Sequence, residues 1–412
     1  MPGPASSFPL RVSHLNVLFL HPAAAFGGAS KSLIELYRLL QDAGVRGTVL
    51  TPAGGVCQSF ERAGMRVHPV KGLSQFDNTR YGYYRKVRWL ILLRELLLLP
   101  FALAGLWRLR REPFDLIHIN EITLLPLGVV AKWLLRVPMV VHVRSLQRKP
   151  GSGLRTRWLN GLLRRYADAV VAIDHTVAAT LEPGLPLSIV HNGLEVARQP
   201  VERLSADGIG PVKVGFLGVL IPLKGIFELV EAMRILKSRG VSIQCLVAGE
   251  NAREISGLKA WILRKFGFAR DVRSELEELI CREGLQDRVK LLGFVSDVRE
   301  LYPQLDILCF PSHLDAAGRP VFEAAFYSVP SVVAVSDPLP DALLHEVTGL
   351  AVPTPDPLLI ADALQRLAEN PDLRRQLGCQ AKRWAEETFA IDVNAARMLD
   401  LYHRVLSSNA SR

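Results

Sequence analysis

The sequence predicts an α/β protein built from two doubly wound, parallel-sheet domains facing a central cleft. Three observations carry this. Short, almost continuously apolar runs alternate with amphipathic stretches from end to end; the alternation breaks once, near the middle, and restarts; and 412 residues, 49% hydrophobic and 22% charged, exceed what one ordinary core accommodates. Apolar runs of four to six residues between helices imply strands covered on both faces.

Residues 1–14 are rich in Pro, Ser and Gly and lack a basic start, so a loose tail is expected and no signal peptide. Residues 15–195 form the first domain, with strands expected at 17–20, 48–51, 114–119, 139–143 and 169–173 and helices at 30–41 and 154–166. Residues 196–211, with Gln199-Pro200 and Asp207-Gly208-Ile209-Gly210-Pro211, read as a linker. Residues 212–385 form the second domain, with strands at 212–217, 242–247, 289–292, 307–310 and 331–335 and a helix at 226–237. The stretch 357–406 is helical in pattern, punctuated by Asn370-Pro371, and 386–412 is a C-terminal helix, a candidate to pack back on the first domain. The default ligand site is a cleft at the carboxyl ends of the strands.

Fifty Lys and Arg against 40 Asp and Glu give a net charge of +10, which excludes an acidic solvating protein and favours an anionic partner. Nucleic acid, a phosphorylated ligand and an anionic membrane all qualify. Tryptophans stand beside cations at Lys132-Trp133, Arg157-Trp158 and Lys259-Ala260-Trp261, but no nucleic-acid motif accompanies them, and no nucleic-acid partner is expected. Cys57, Cys245, Cys281, Cys309 and Cys379 are scattered singly, which points to a reducing compartment and away from disulfides or a zinc site.

A mean hydropathy of +0.19 is high for a freely soluble chain. The excess lies in residues 89–107, 19 residues interrupted by Arg94, Glu95 and Pro100 and therefore a poor spanning helix. Arg80, Arg85, Lys86 and Arg88 precede it, and Arg108, Arg110 and Arg111 follow. That makeup fits a helix lying in a membrane interface, so an anionic membrane surface meeting residues 80–111 is expected. The competing reading is two core helices joined at Pro100 with solvated arginine ends.

Gly27-Gly28 follows the first strand and opens the first long helix, where bare backbone amides approach an anion closely. It lacks the spacing of a dinucleotide fingerprint, which disfavours an oxidoreductase. In the second domain Lys224 stands just before a helix start, a poor place for a cation unless an anion is present. The block from Phe310 to Ala325 is the most informative. Gly318 permits a turn, Pro320 suits a first helical position, amides around Val321 offer an anion site, and Asp315 and Glu323 place one acid before that turn and one in the first helical turn. Each acid also has a plain reading, as a loop acid and as a carboxylate complementing the helix dipole.

With these residues the chain resembles the retaining glycosyltransferases of family 4, which share the two-Rossmann-domain architecture called GT-B. The matching stretches are 218–225 with Lys224, Leu292-Gly293-Phe294-Val295, 306–312, the Asp315 to Glu323 block and Thr348-Gly349-Leu350, preceded by Gly27-Gly28-Ala29, Asp115-Leu116-Ile117-His118, 167–172 and Val190-His191-Asn192-Gly193. They are spread over residues 16–390. The resemblance implies that Glu323 binds the nucleotide ribose, Asp315 faces the donor sugar, and Lys224 neutralises the diphosphate with help from Gly318, Arg319, Pro320 and Val321. It places Gly293, Phe294 and Val295 beside the base, and Gly27 and Gly28 near donor phosphate or acceptor. The family's first acid is usually Glu where Asp315 stands, and an arginine usually stands at Val219, for which Arg319 or Arg144 would substitute. The first-domain histidine position holds Arg144, with His142 two residues earlier, and either contacts the donor.

The resemblance implies a retaining, hexosyltransferase-type enzyme whose first domain is the acceptor side. It would move sugar from a nucleotide-sugar donor to a hydroxyl of a lipid-linked or cell-surface glycan, without metal or other cofactor, on the inner face of the cytoplasmic membrane. Two rivals stand beside it: a non-catalytic sugar-nucleotide-binding protein of the same fold and a nucleotide-sugar epimerase.

Overall fold

The computed structural model describes residues 14–80, 90–151, 153–195, 210–251, 271–314 and 317–410. The chain divides into two compact units, Met1–Glu195 with Phe389–Arg412, and Val196–Thr388. All but the last two residues of the expected linker lie outside the described residues, as do Trp89, Asp315 and Trp261.

The first unit contains β1 (Leu15–Leu20), α1 (Gly28–Asp42), β2 (Val45–Pro52), α2 (Val56–Arg62), β3 (Arg66–Val70), α3 (Ile91–Leu109), β4 (Leu116–Ile119), α4 (Leu125–Leu135), β5 (Met139–Val143), α5 (Leu154–Tyr166), β6 (Ala169–Ala172), α6 (His175–Ala178) and β7 (Leu187–Ile189). Its seven strands are all parallel, in the order β3-β2-β1-β4-β5-β6-β7. Alternation splits each strand between two cores. Leu18 and Leu20 face the layer of α3, α4 and α5, whereas Val17 and Phe19 face α1 and α2. The second unit has β8 (Val212–Leu217), α7 (Ile226–Ser238), β9 (Ile243–Ala248), α8 (Val272–Arg282), β10 (Val289–Gly293), β11 (Ile307–Phe310), α9 (Arg319–Phe326), β12 (Ser331–Ala334), β13 (Gly349–Val352) and α10 (Pro357–Glu369). Its sheet, also parallel, runs β10-β9-β8-β11-β12-β13. Phe216 and Cys309 meet α7 and α10 on one face, and Leu217 and Leu308 meet α9 on the other.

The closing helical stretch is divided twice, into α10, α11 (Pro371–Phe389) and α12 (Ile391–Ala410), with a second break at Ala390 that carries no Gly or Pro signal. Helix α12 belongs to the first unit, where Met398, Leu401 and Tyr402 are buried with Phe19, Leu33 and Tyr37. Gly193 admits it: a Cβ there would stand 2.3 Å from the Ile391 side chain.

Pro100 does not divide residues 91–109 as the core reading required. They form one helix with Pro100 inside it. The proline and Leu96, whose carbonyl loses its donor, both lie on the exposed side, where solvent has access to the carbonyl and can replace the missing N–H. Glu95 turns inward and accepts from the Gln75 amide at 2.8 Å and from Arg94. No described helix is long and apolar enough to cross a membrane. Pro100→Ala restores a donor to a helix already formed, so a rise in stability of about 1 to 3 kcal/mol is expected in denaturant titration; an unchanged midpoint would mean that the proline costs nothing there.

Candidate functional site

In each sheet the strand order reverses once, between β1 and β4 and between β8 and β11. All strands are parallel, so the loops leaving the carboxyl ends of each pair diverge around an open crevice, where such sheets bind ligands.

In the first unit, His21 follows β1, Asn120 and Glu121 follow β4, and Arg144 follows β5. Asn120 donates toward His21 Nδ1 at 2.9 Å, and His21 Nε2 lies 3.0 Å from Ser30 Oγ in the first turn of α1. Arg144 Nε donates to the carbonyl and to Oδ1 of Asn120 at 3.2 and 3.0 Å, and its guanidinium also reaches Asn192 Oδ1 and, at 3.3 Å, His142 Nδ1. His142 is buried beneath the arginine. Beyond it His118 bonds the Tyr402 hydroxyl of α12 at 2.7 Å. Burial, with the Arg144 charge second, presses His21 and His118 down to about 3 and His142 well below the usual imidazole range. The three imidazoles are therefore neutral, and the cation of the cluster is Arg144. Its guanidinium is held by neutral oxygens and a neutral ring, and burial, opposed by the nearby Glu121 carboxyl, brings it down to about 10.

Gly27 caps α1 in an extended conformation that any residue adopts, and a Cβ at Gly27 or Gly28 meets nothing within 4 Å. Neither the fold nor the packing requires glycine there. What two glycines leave is unobstructed access to the α1 amides, in a first turn that carries no acid.

In the second unit, glycine is obligatory at the crevice. At Gly225, with φ +73°, a Cβ would lie 1.7 Å from the Pro311 carbonyl oxygen, and at Gly249 one would lie 1.9 Å from that of Gly218. These contacts draw together the backbones leaving β8, β9 and β11. Gly218 has φ +145°, and the space its missing Cβ would fill is 2.6 Å from Lys224 Nζ. Lys224 ends a single 3-10 turn, Pro222–Lys224, directly before α7. It is half-buried, burial lowers its pKa, and, although its backbone amide donates to the Ile221 carbonyl, its ammonium has no hydrogen bond or ion pair among the described residues.

Helix α9 begins at Arg319, one residue before Pro320, so Glu323 is its fifth residue and not in the first turn. Glu323 is held by two neighbours, Arg319 Nε at 2.6 Å and the Tyr302 hydroxyl at 2.6 Å. This engages one of the two arginines offered as substitutes at Val219, whose side chain is exposed. The Val321 amide is not open as expected; it donates to the Gly318 carbonyl at 2.9 Å. Gly318 is glycine for space rather than for a turn: its φ is −99°, and a Cβ would stand 2.3 Å from the Phe310 ring. At the end of β10, Gly293 takes φ +72°, and Phe294 donates its amide to Glu250, itself paired with Arg273 at 2.8 Å. The Phe294 ring is 77% exposed, with Val295 next to it partly buried. Asp315 lies outside the described residues.

Sequence reasoning passed over Glu121, Asn120 and Tyr302, and gave Asn192 no role beyond its place in a matching stretch. Glu121 was signalled only by its place after an apolar strand at the reversal. Its Oε1 accepts from the Ile122 amide at 2.9 Å and Ser145 Oγ at 3.1 Å, yet desolvation raises the carboxyl to about 7. A raised carboxyl favours the protonated folded state. Its contribution to stability is full below the ordinary carboxylate value near 4.5 and lost as pH rises toward 7. Glu121→Gln is expected to flatten that part of the profile in unfolding measured between pH 4 and 8; a profile identical to that of the unsubstituted chain would remove the buried-acid assignment.

The second unit matches "Glycosyl transferases group 1" over residues 208–384, and the first matches "Glycosyl transferase 4-like domain" over residues 27–193. Among curated proteins, the chain is 23% identical over 199 residues to the capsular polysaccharide biosynthesis glycosyltransferase CapM of Staphylococcus aureus, covering 48% of each. It is 30% identical to the D-inositol 3-phosphate glycosyltransferase of Saccharomonospora viridis, over 60% of this chain and 53% of that one. The chain thus spans about half the length of these two relatives. It is also 25% identical to the lipopolysaccharide core biosynthesis mannosyltransferase LpcC of Rhizobium leguminosarum, over 75% of this chain and 84% of that one. Anabaena HepE in complex with UDP shares the fold with a TM-score of 0.71 at 20% identity, covering 95% of this chain and 100% of that one. A glycosyltransferase of Rickettsia africae gives 0.71 at 16%, covering 96% and 99%. Two parallel-sheet units of the GT-B class, each matched along most of its length, make the chain a member of the group 1 glycosyl transferases.

Proposed function

We propose that the chain transfers a sugar from a nucleotide-sugar donor to a hydroxyl of a lipid-linked or cell-surface glycan, with retention of anomeric configuration and at the inner face of the cytoplasmic membrane. The observation that carries this is Lys224: a half-buried ammonium, lowered in pKa by desolvation and without a counter-charge among the described residues, at the reversal of strand order. A cation left so is costly unless an anion completes it. Departure of a nucleoside diphosphate builds negative charge, and a preorganised ammonium beside a helix start stabilises it without a metal.

Glu323 would take the ribose hydroxyls. Arg319 and Tyr302 fix its carboxylate, and each oxygen keeps a lone pair for a further donor. Phe294 offers an exposed ring beside the base. Of the two first-unit candidates, Arg144 is the one whose charge would meet an anion, with Gly27 and Gly28 admitting it to the α1 amides; His142, neutral and buried, positions the arginine. The relatives named for lipopolysaccharide core and capsular polysaccharide synthesis support a glycan acceptor.

Lys224→Ala is expected to lower transfer by about a hundredfold or more; unimpaired transfer with the right donor would remove the lysine from the site. Thermal shift against UDP, GDP, ADP and their sugars identifies the donor, since a ligand at 100 times its Kd adds about 2.7 kcal/mol. Binding without transfer or donor hydrolysis would instead favour the non-catalytic reading, and product formed without acceptor the epimerase.

A further inference from the structure

Helix α3 is apolar on both sides. Its inward face carries Ala102, Leu106 and Leu109, all buried. A helix at the surface of a soluble unit then turns charged residues outward, but the outward face of α3 carries Leu93, Leu96, Leu97 and Trp107, between 56% and 72% exposed, with Phe101 at 42%. At 100° per residue these positions fall on one broad face opposite the core.

Two further features bear on what covers this face. The first is charge. Arg110 lies over the Trp107 ring at 4.0 Å and Lys71 over the Phe101 ring at 4.8 Å, and Arg108 and Arg111 are exposed near the end of the helix. None of the four pairs with a carboxylate among the described residues. The second is a groove of about 270 Å³ between α3, α4 and α5, walled by Leu92, Leu96, Leu99, Leu127, Val130 and Trp158. It opens beside the exposed face, because Leu96, Val130 and Trp158 line it and are themselves 40% to 61% exposed.

A second copy of this chain fits poorly. In a two-fold interface the patch meets itself, which would set these unpaired cations against their own copies. An anionic bilayer answers both features at once, with headgroups for the cations and hydrocarbon for the leucines, and Trp at the boundary is where its amphipathic ring is favoured. We propose that α3 lies in the interface of an anionic membrane by its outward face, and that the groove beside it receives one hydrocarbon chain of a lipid from that membrane. This rests on the membrane-side reading above and gives it an element and a lipid chemistry.

The test is co-sedimentation of the full chain with vesicles of phosphatidylglycerol or of phosphatidylcholine, without donor. Binding to the anionic vesicles that weakens with salt is expected, with far less on the neutral ones. Leu97→Ser with Trp107→Ser should lower that binding by roughly tenfold or more at unchanged Tm. Arg108→Gln with Arg111→Gln should lower it by a similar factor on anionic vesicles alone. Val130→Glu, which charges the groove mouth without touching α3, should also weaken it, and full binding by that variant would overturn the groove assignment. Equal binding to both vesicle types, or a concentration-dependent dimer dissolved by Leu97→Ser with Trp107→Ser, would overturn the whole. Because no donor is present, loss of transfer in Lys224→Ala leaves this result untouched, whereas a chain that transfers sugar but ignores vesicles overturns this inference and the membrane location it rests on, and leaves the sugar-transfer reading standing.

Discussion

Burial of each sheet on both faces is the constraint on which the rest depends. Along β1, β4, β5, β8 and β11 nearly every side chain points into one of two cores, so polar chemistry is pushed to the strand ends. Even His118 and His142, which do lie within strands, are kept neutral by the same burial. The strand ends nearest each reversal of order are where backbone amides and charged side chains leave the cores.

Both units place a desolvated cation at that edge, but they hold it differently. Arg144 is fixed by Asn120, Asn192 and His142, so its direction is set before any ligand arrives. Lys224 is not fixed by side chains; what confines it is backbone, through the glycines that let Pro311, Gly218 and Gly249 approach. A guanidinium held by a fork of neutral acceptors suits oriented recognition, and a compact ammonium confined by backbone suits a charge that develops and departs.

The sequence showed most clearly the elements that are buried twice. Strands β5, β8 and β11 carry nearly continuous apolar runs, interrupted by His142 in β5 and Lys213 in β8, and fall at the expected residues. The strands that went unseen, β3, β7 and β13, are all edge strands, short or mixed in polarity because one side of the ladder has no partner. At the site, Lys224 and the glycines were legible from their place before helix starts. Tyr302, Asn192 and Tyr402 were not: each reaches its partner across 21 to 284 residues of chain, through contacts that no local pattern encodes. Pro100 misled for a related reason, since a proline breaks a helix only where the lost hydrogen bond cannot be replaced, and exposure supplies the replacement.

The hydrogen bond from Tyr402 to His118 joins the last helix to the fourth strand of the sheet. One side of the first unit's core therefore includes residues made only after the whole second unit has been synthesised. During translation the first sheet must wait with Phe19, Leu116 and Val140 incompletely covered while Val196–Thr388 emerges, although it leaves the ribosome before that unit. The first unit is thus begun before the second and completed after it, and the histidine layer beneath Arg144 closes only when α12 docks.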